Sequence, residues 1–155
     1  FDKNGILGAK YQPDIKYAEE LAKIFTPKKL GISLDRNTFG TNFLNKYFPS
    51  LKEKDIATLN YFTALLISKI LKKFVLKKYK ISTMAVCGGG IFNKTLIKNL
   101  QNLTQLDIIN TSALGIDPMA KEACCMAYFA WQTINKHPLK LANNKKTILG
   151  EIILP

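Results

Sequence analysis

Apolar residues recur along this chain at two different spacings, and the change between them divides it into two halves. The first half keeps a helical period of three and four residues. Residues 13–25 (PDIKYAEELAKIF) open on Pro13 and then carry apolar positions at that spacing, which predicts a helix. The segment 26–36 (TPKKLGISLDR) loses the period and reads as a loop, and 37–48 (NTFGTNFLNKYF) predicts a further helix stopped by Pro49. From Asp55 onward, Leu59, Phe62, Leu66, Ile70 and Phe74 build one apolar stripe along a long helix over 55–78. Lys69, Lys72 and Lys73 fall largely away from that stripe.

The second half alternates between short apolar runs and helical patterns. STMAVC (82–87) reads as a buried strand, NKTLIKNLQNL (93–103) as a helix, and LDIINT (106–111) as another strand. DPMAKEACCMAYFAWQTINK (117–136) predicts a long helix, and TILGEIIL (147–154) a last strand. Strand, helix, strand, helix implies a parallel sheet with a right-handed crossover. The fold class is therefore α/β, a helical first half followed by a βαβα unit, in one domain over 1–155. In the helix at 117–136, Ala120, Ala123, Ala127 and Ala130 share one face and would allow close packing on the sheet.

Composition changes this picture little. Hydrophobic residues make up 47% and charged residues 22%, which fits a globular chain. No apolar run reaches the roughly 18 residues of a membrane span, and no signal peptide is evident, so the expectation is a soluble, cytoplasmic protein with no membrane partner. The three cysteines, Cys87, Cys124 and Cys125, have no metal-type spacing and read as buried free thiols.

The formal charge of +12 raises nucleic-acid binding as one reading. Against it, Arg36 is the only arginine and the lysines are scattered, whereas base readout favours arginine. The densest run, KILKKFVLKKYK (69–80), reads as a solvated basic face, and no nucleic-acid partner is expected.

The stretch VCGGGIFNKTLI (86–97) carries the candidate chemistry. Its glycines follow a strand and precede a helix, the place where open α/β sheets bind ligands. Glycine there admits positive φ and lets a ligand approach the backbone, and free amides at the helix start favour anions. A bare turn is the competing reading. Ile91 and Phe92 after Gly90 exclude a Walker loop, which needs Lys and Ser or Thr there. Asn93 stands where a dinucleotide fingerprint needs a small residue, and Asp107 begins the second strand where that fingerprint's acid should end it. Asn93 also suits an N-cap. Glu122 lies near a helix start, where the dipole favours a carboxylate. Asp117 before Pro118 reads as a cap, His137 as a partner for the helix C-terminus, and Trp131 as core or interface packing.

Five segments taken together carry a resemblance: FDKNGILGA (1–9), DIATLNYFTA (55–64), VCGGGIFNKTLIKNL (86–100), GIDPMAKEACCMAYFAW (115–131) and LGEIILP (149–155). In this order they resemble the C-terminal half of the anhydro-N-acetylmuramic acid kinase family, over essentially the whole chain. Its most specific parts are the GGG-x-x-N element and the segment from Asp117 to Ala123. The resemblance implies the C-terminal, nucleotide-binding lobe of an actin-like (ribonuclease H-like) ATPase fold, in a two-lobed sugar kinase that opens the 1,6-anhydro ring with water and phosphorylates the 6-hydroxyl. It implies ATP with Mg2+, anhydro-N-acetylmuramic acid as substrate in peptidoglycan recycling, and an N-terminal lobe as partner, with a homodimer also possible. By the same resemblance Gly88, Gly89, Gly90 and Asn93 line the nucleotide and Glu122 meets the sugar.

Departures stand beside the match. The family's Pro-Lys-Ser-Thr-Gly-Arg loop survives only as Pro27, Lys28 and Arg36, and NNKK (143–146) replaces a Thr-Gly-Ala segment. The Gly-Thr-Ser-x-Asp-Gly phosphate loop and the catalytic aspartate of the family's N-terminal half do not occur, so no residue here is expected to be catalytic or to bind metal. A fragment, inactive alone, is the resulting expectation. A basic nucleic-acid-binding module and a non-catalytic interaction or dimerisation lobe built on the helix at 55–78 are the alternatives.

Overall fold

The stripe from Leu59 to Phe74 lies on the central helix of a bundle. A computed structural model describes residues 2–29, 34–140 and 145–150, without the side chain of Arg36. A single 3-10 turn over Lys3–Gly5 leads into α1 (Ile6–Lys10), followed by α2 (Ile15–Phe25), α3 (Arg36–Phe39), α4 (Thr41–Tyr47) and α5 (Glu53–Phe74). Asp14 caps α2 by accepting from the Tyr17 amide at 2.9 Å, a role its short carboxylate suits. Asp55 reaches back from the first turn of α5 to the Lys52 amide at 2.8 Å.

The core joins Ala18, Leu21 and Ala22 of α2, Phe43 of α4, and Phe62, Leu65 and Leu66 of α5. Phe43 stacks on Phe62 with ring centres 5.9 Å apart, and Phe25 meets Phe43 edge-on at 5.3 Å. Such pairs add about 0.5–1.5 kcal/mol each beyond the area they bury. Burial also raises the pKa of the Tyr17 phenol, whose hydroxyl donates to the Tyr47 carbonyl at 2.6 Å. At the surface, Lys10 meets Glu53 at 2.7 Å, which raises the lysine pKa and lowers that of the carboxylate.

The expected helix over 37–48 is two helices. Gly40 breaks it with an extended backbone (ψ −156°), turning α4 so that Phe43 and Phe48 enter the core. Within the loop expected over 26–36, residues 30–33 lie outside the described residues, and Arg36 already opens α3. The helix expected to reach 78 ends at Phe74. The segment beyond it closes in turns, where the Leu76 and Tyr79 amides donate to the carbonyls of Leu71 and Val75.

In the second half β1 (Thr83–Val86) and β2 (Asp107–Asn110) run parallel, pairing Thr83 with Asp107 and Val86 with Asn110. Between them α6 (Lys94–Thr104) packs on α5, where the Ser68 hydroxyl donates to the Leu103 carbonyl at 2.9 Å. After a 3-10 turn at Thr111–Leu114 come α7 (Lys121–Ile134) and the short antiparallel pair β3 (Leu139–Lys140) and β4 (Lys146–Thr147). Of the strand expected over 147–154, residues 151–154 lie outside the described residues, and within 147–150 only Thr147 is in a strand. The architecture is α/β, mostly helical, with a small parallel sheet.

Three expectations for this half are corrected. β1 is not a buried strand: its residues are alternately exposed and half-buried, because among the described residues its sheet has two strands only. The alanine face of α7 does not pack on that sheet; Ala123, Ala127 and Ala130 are exposed, and α7 has no buried residue. The thiols are free but not buried, with Cys124 exposed and Cys87 and Cys125 half-buried, since α7 and the end of β1 lack a covering layer.

Candidate functional site

The glycine run sits where the chain leaves β1. Gly88 has φ 80° and ψ 177°, a conformation open essentially only to glycine. It is anchored by its amide, which donates to the Pro118 carbonyl at 2.9 Å and so ties the loop to the approach to α7. A 3-10 turn over Gly89–Phe92 follows, closed by the Ile91 and Asn93 amides on the Gly88 and Gly90 carbonyls. The Gly89 and Gly90 amides open this turn and have no acceptor among the described residues.

The space around these glycines is informative. A Cβ at Gly88 or at Gly89 would meet nothing within 4 Å, and one at Gly90 only Leu96 at 3.8 Å. Backbone geometry demands glycine at 88, but no packing inside the described chain demands it at 89 or 90. The loop is therefore an open turn with two unspent amides at the carboxyl end of a parallel strand, an arrangement suited to phosphate or another anion.

Asn93 caps α6 as its type suggests: its Oδ1 accepts from the Leu96 amide at 2.9 Å. The same oxygen accepts from Asn60 Nδ2 of α5 at 3.1 Å, and Asn60 Oδ1 accepts from Asn99 Nδ2 of α6 at 3.0 Å. The first segment of the chain closes over this network. A Cβ at Gly5 would lie 2.4 Å from Asn93 Oδ1, and one at Gly8 would lie 2.9 Å from Asn60 Nδ2. The Thr95 hydroxyl donates to the Gly5 carbonyl at 2.7 Å, while the Asp2 carboxylate accepts from the Leu7 and Gly8 amides at 2.8 and 3.0 Å. Residues from 2–9, 55–64 and 86–100, far apart in the chain, thus meet at one point next to the glycine turn.

Nothing in the apolar period singles out Asn60, Asn99, Gly5 or Gly8. The available signal was asparagine inside two helices, where it is unfavourable unless its side chain is used.

Glu122 is exposed in the first turn of α7, four residues after Pro118, whose carbonyl holds the Gly88 amide, and makes no hydrogen bond among the described residues. The helix start expected at Asp117 and Pro118 is corrected: Asp117 Oδ1 accepts from the Met119 amide at 2.7 Å in a turn, and α7 begins three residues after Pro118. His137 does follow the last turn of α7, its amide on the Gln132 carbonyl and its ring 5.3 Å from that of Trp131, which is exposed. A separate apolar cleft of about 400 Å³, lined by Leu34, Phe39, Leu59, Phe62 and Ile70 among others, lies between α3, α4 and α5, away from the loop.

A parallel strand pair whose first strand runs through a glycine turn into a capped helix defines an α/β protein with its candidate site at the strand ends. The sequence model described as anhydro-N-acetylmuramic acid kinase matches residues 1–154, and the chain belongs to that family. Proteins of this name from Francisella tularensis subsp. novicida and Caldanaerobacter subterraneus subsp. tengcongensis are 31% and 30% identical, covering 98% and 99% of the chain. One from Bacillus cereus is 29% identical over 100% of it. The chain spans 42%, 42% and 43% of the length of these three relatives.

Proposed function

We propose that this chain is the nucleotide-binding lobe, actin-like in fold, of an ATP-dependent kinase acting on 1,6-anhydro-N-acetylmuramic acid. In the reaction the family name implies, water adds at C1 as the C1–O6 bond breaks, and O6 takes the γ-phosphoryl group of ATP, leaving ADP and N-acetylmuramic acid 6-phosphate. The observation that carries the reading is the loop itself: Gly88–Gly90 with two free amides, and open space where side chains would otherwise stand.

Phosphoryl transfer draws its rate from positioning and preorganised electrostatics. The loop amides would hold the nucleotide, with Asn93 beside them. Glu122, exposed and unbonded, would accept hydrogen bonds from sugar hydroxyls once the remaining part of the enzyme stands over α7. Among the described residues no group of three His, Cys, Asp or Glu could hold a metal ion. The base for the attacking oxygen and the phosphate loop belong, on this reading, to the other lobe. The exposed face of α7 and the two-stranded sheet support a lobe completed by further chain, since parallel sheets are ordinarily covered on both faces. No described helix is long and apolar enough to cross a membrane.

The test is Gly89→Val in an enzyme of the relatives' full length. Because a Cβ at this position meets nothing within 4 Å among the described residues, folding should be unaffected. Calorimetric titration with a non-hydrolysable ATP analogue should show affinity lowered by about tenfold or more, roughly 1.4 kcal/mol. Unchanged affinity in a folded variant would return the glycines to a mere turn.

A further inference from the structure

We propose that Asn60 is a positioning residue of the glycine-loop site, fixing the Asn93 amide with its NH2 group turned outward. The loop would then offer a bound nucleotide a hydrogen-bond donor at this point rather than an acceptor. The proposal rests on the reading of the loop as nucleotide-binding.

The orientation follows from which groups can only donate. The Leu96 amide has no acceptor capacity, so the Asn93 atom 2.9 Å from it is the oxygen. Asn60 Nδ2 donates to that same oxygen at 3.1 Å. Asn60 cannot turn over, because its own oxygen accepts from Asn99 Nδ2 at 3.0 Å. Reversal would set oxygen against oxygen at Asn93 and NH2 against NH2 at Asn99. Asn60 is only 8% exposed, so water could not relieve the mismatch. Gly5 and Gly8 press backbone against the same pair, where a Cβ would fall 2.4 Å from Asn93 Oδ1 and 2.9 Å from Asn60 Nδ2.

Asn93 Oδ1 is thus fully engaged inside the protein, whereas its Nδ2 makes no hydrogen bond among the described residues. Asn93 is itself half-buried, and its backbone amide donates to the Gly90 carbonyl at 3.1 Å, which ties the residue to the turn that carries the loop amides. An acceptor on the ligand fits it: a phosphate or ribose oxygen, or a ring nitrogen, all present on a nucleoside triphosphate.

Binding of a non-hydrolysable ATP analogue to a full-length enzyme, compared among four variants, decides the matter. Asn93→Asp keeps an oxygen for the cap and for Asn60 but replaces the outward donor by a second oxygen. Its thermal midpoint should hold or rise while affinity falls about tenfold, because the lost hydrogen bond is joined by repulsion between the new oxygen and the ligand acceptor. Asn60→Ala should weaken binding about fivefold when Asn93 is present and not at all when it is combined with Asn93→Ala, a coupling that simple knitting of α5 to α6 would not produce. Additive losses in this cycle, or parental affinity for Asn93→Asp, would overturn the proposal. Should Asn60→Ala fail to fold, Asn93→Asp decides alone. If Gly89→Val weakens binding but the cycle is additive, only the role of Asn60 fails; if Gly89→Val is also silent, the nucleotide reading fails with it.

Discussion

Adjacent glycines in one loop can be present for unrelated reasons, and the loop after β1 separates them. Gly88 is held at φ 80° and ψ 177°, so any side chain there brings backbone strain of about 1–3 kcal/mol. Gly89 lies outside the left-handed region, and a Cβ on it would meet nothing within 4 Å. Gly5 combines both problems, with φ 75° and a Cβ position 2.4 Å from Asn93 Oδ1. Denaturant unfolding should therefore find Gly88→Ala destabilised by about 1–3 kcal/mol, Gly5→Ala by at least as much, and Gly89→Ala within about 0.5 kcal/mol of the parent. A large loss at Gly89 alone would mean that the loop packs against something inside the chain. At this scale the sequence was legible where a local rule applied: a strand, then glycines, then asparagine before a helix identified Asn93 as a cap. Asn60 was not legible, because its partners sit on another helix and its value depends on a meeting of segments that no local pattern encodes.

At the scale of elements, α2 and α6 lie where their apolar period places them because that period is answered inside the chain, and α7 shows what happens otherwise. The long stripe of α5 meets α2 and α4 in the core at Phe62 and Leu66, while Leu59 and Ile70 also line the apolar cleft between α3, α4 and α5. A second buried line on α5, with Ala57, Asn60, Ala64 and Ser68, faces α6 and was hidden in the sequence by its small and polar residues. Helix α7 carries small residues suited to close packing, but the described chain provides no layer for them, so Met126, Trp131 and Ile134 stand 65%, 53% and 68% exposed. Glu122 on the same helix contributes to folding only through the dipole of the first turn, on the order of 0.3–1 kcal/mol. Glu122→Gln in a full-length enzyme should accordingly leave thermal unfolding and ATP-analogue affinity nearly unchanged while lowering turnover on the anhydro sugar by about tenfold or more. Steady-state kinetics with both substrates varied would read this. Loss of ATP affinity with normal sugar affinity would place Glu122 on the wrong side of the cleft.

For the whole molecule, the half that folds on its own helices and the half that holds the candidate site have different degrees of completion. The helical half has an aromatic core, whereas among the described residues the site half presents a two-stranded parallel sheet and an uncovered helix. That asymmetry matters for chemistry. A kinase must exclude water, align the γ-phosphate with its acceptor and supply a base, and closure of one lobe on another is the usual means. Here no described group of three acidic or metal-ligating side chains converges, Asp14, Asp35, Asp55 and Asp117 are engaged in caps and turns, and Asp2 binds the backbone of α1. The 155-residue chain alone should therefore transfer no phosphate to anhydro-N-acetylmuramic acid in the presence of ATP and magnesium. Addition of the remaining length of a relative in trans should slow hydrogen exchange along β1 and α7 and restore some turnover, because those are the elements left without cover. Magnesium-dependent transfer by the isolated chain, well above a buffer blank and abolished by one substitution within it, would require a base within this chain and would overturn the two-lobed reading.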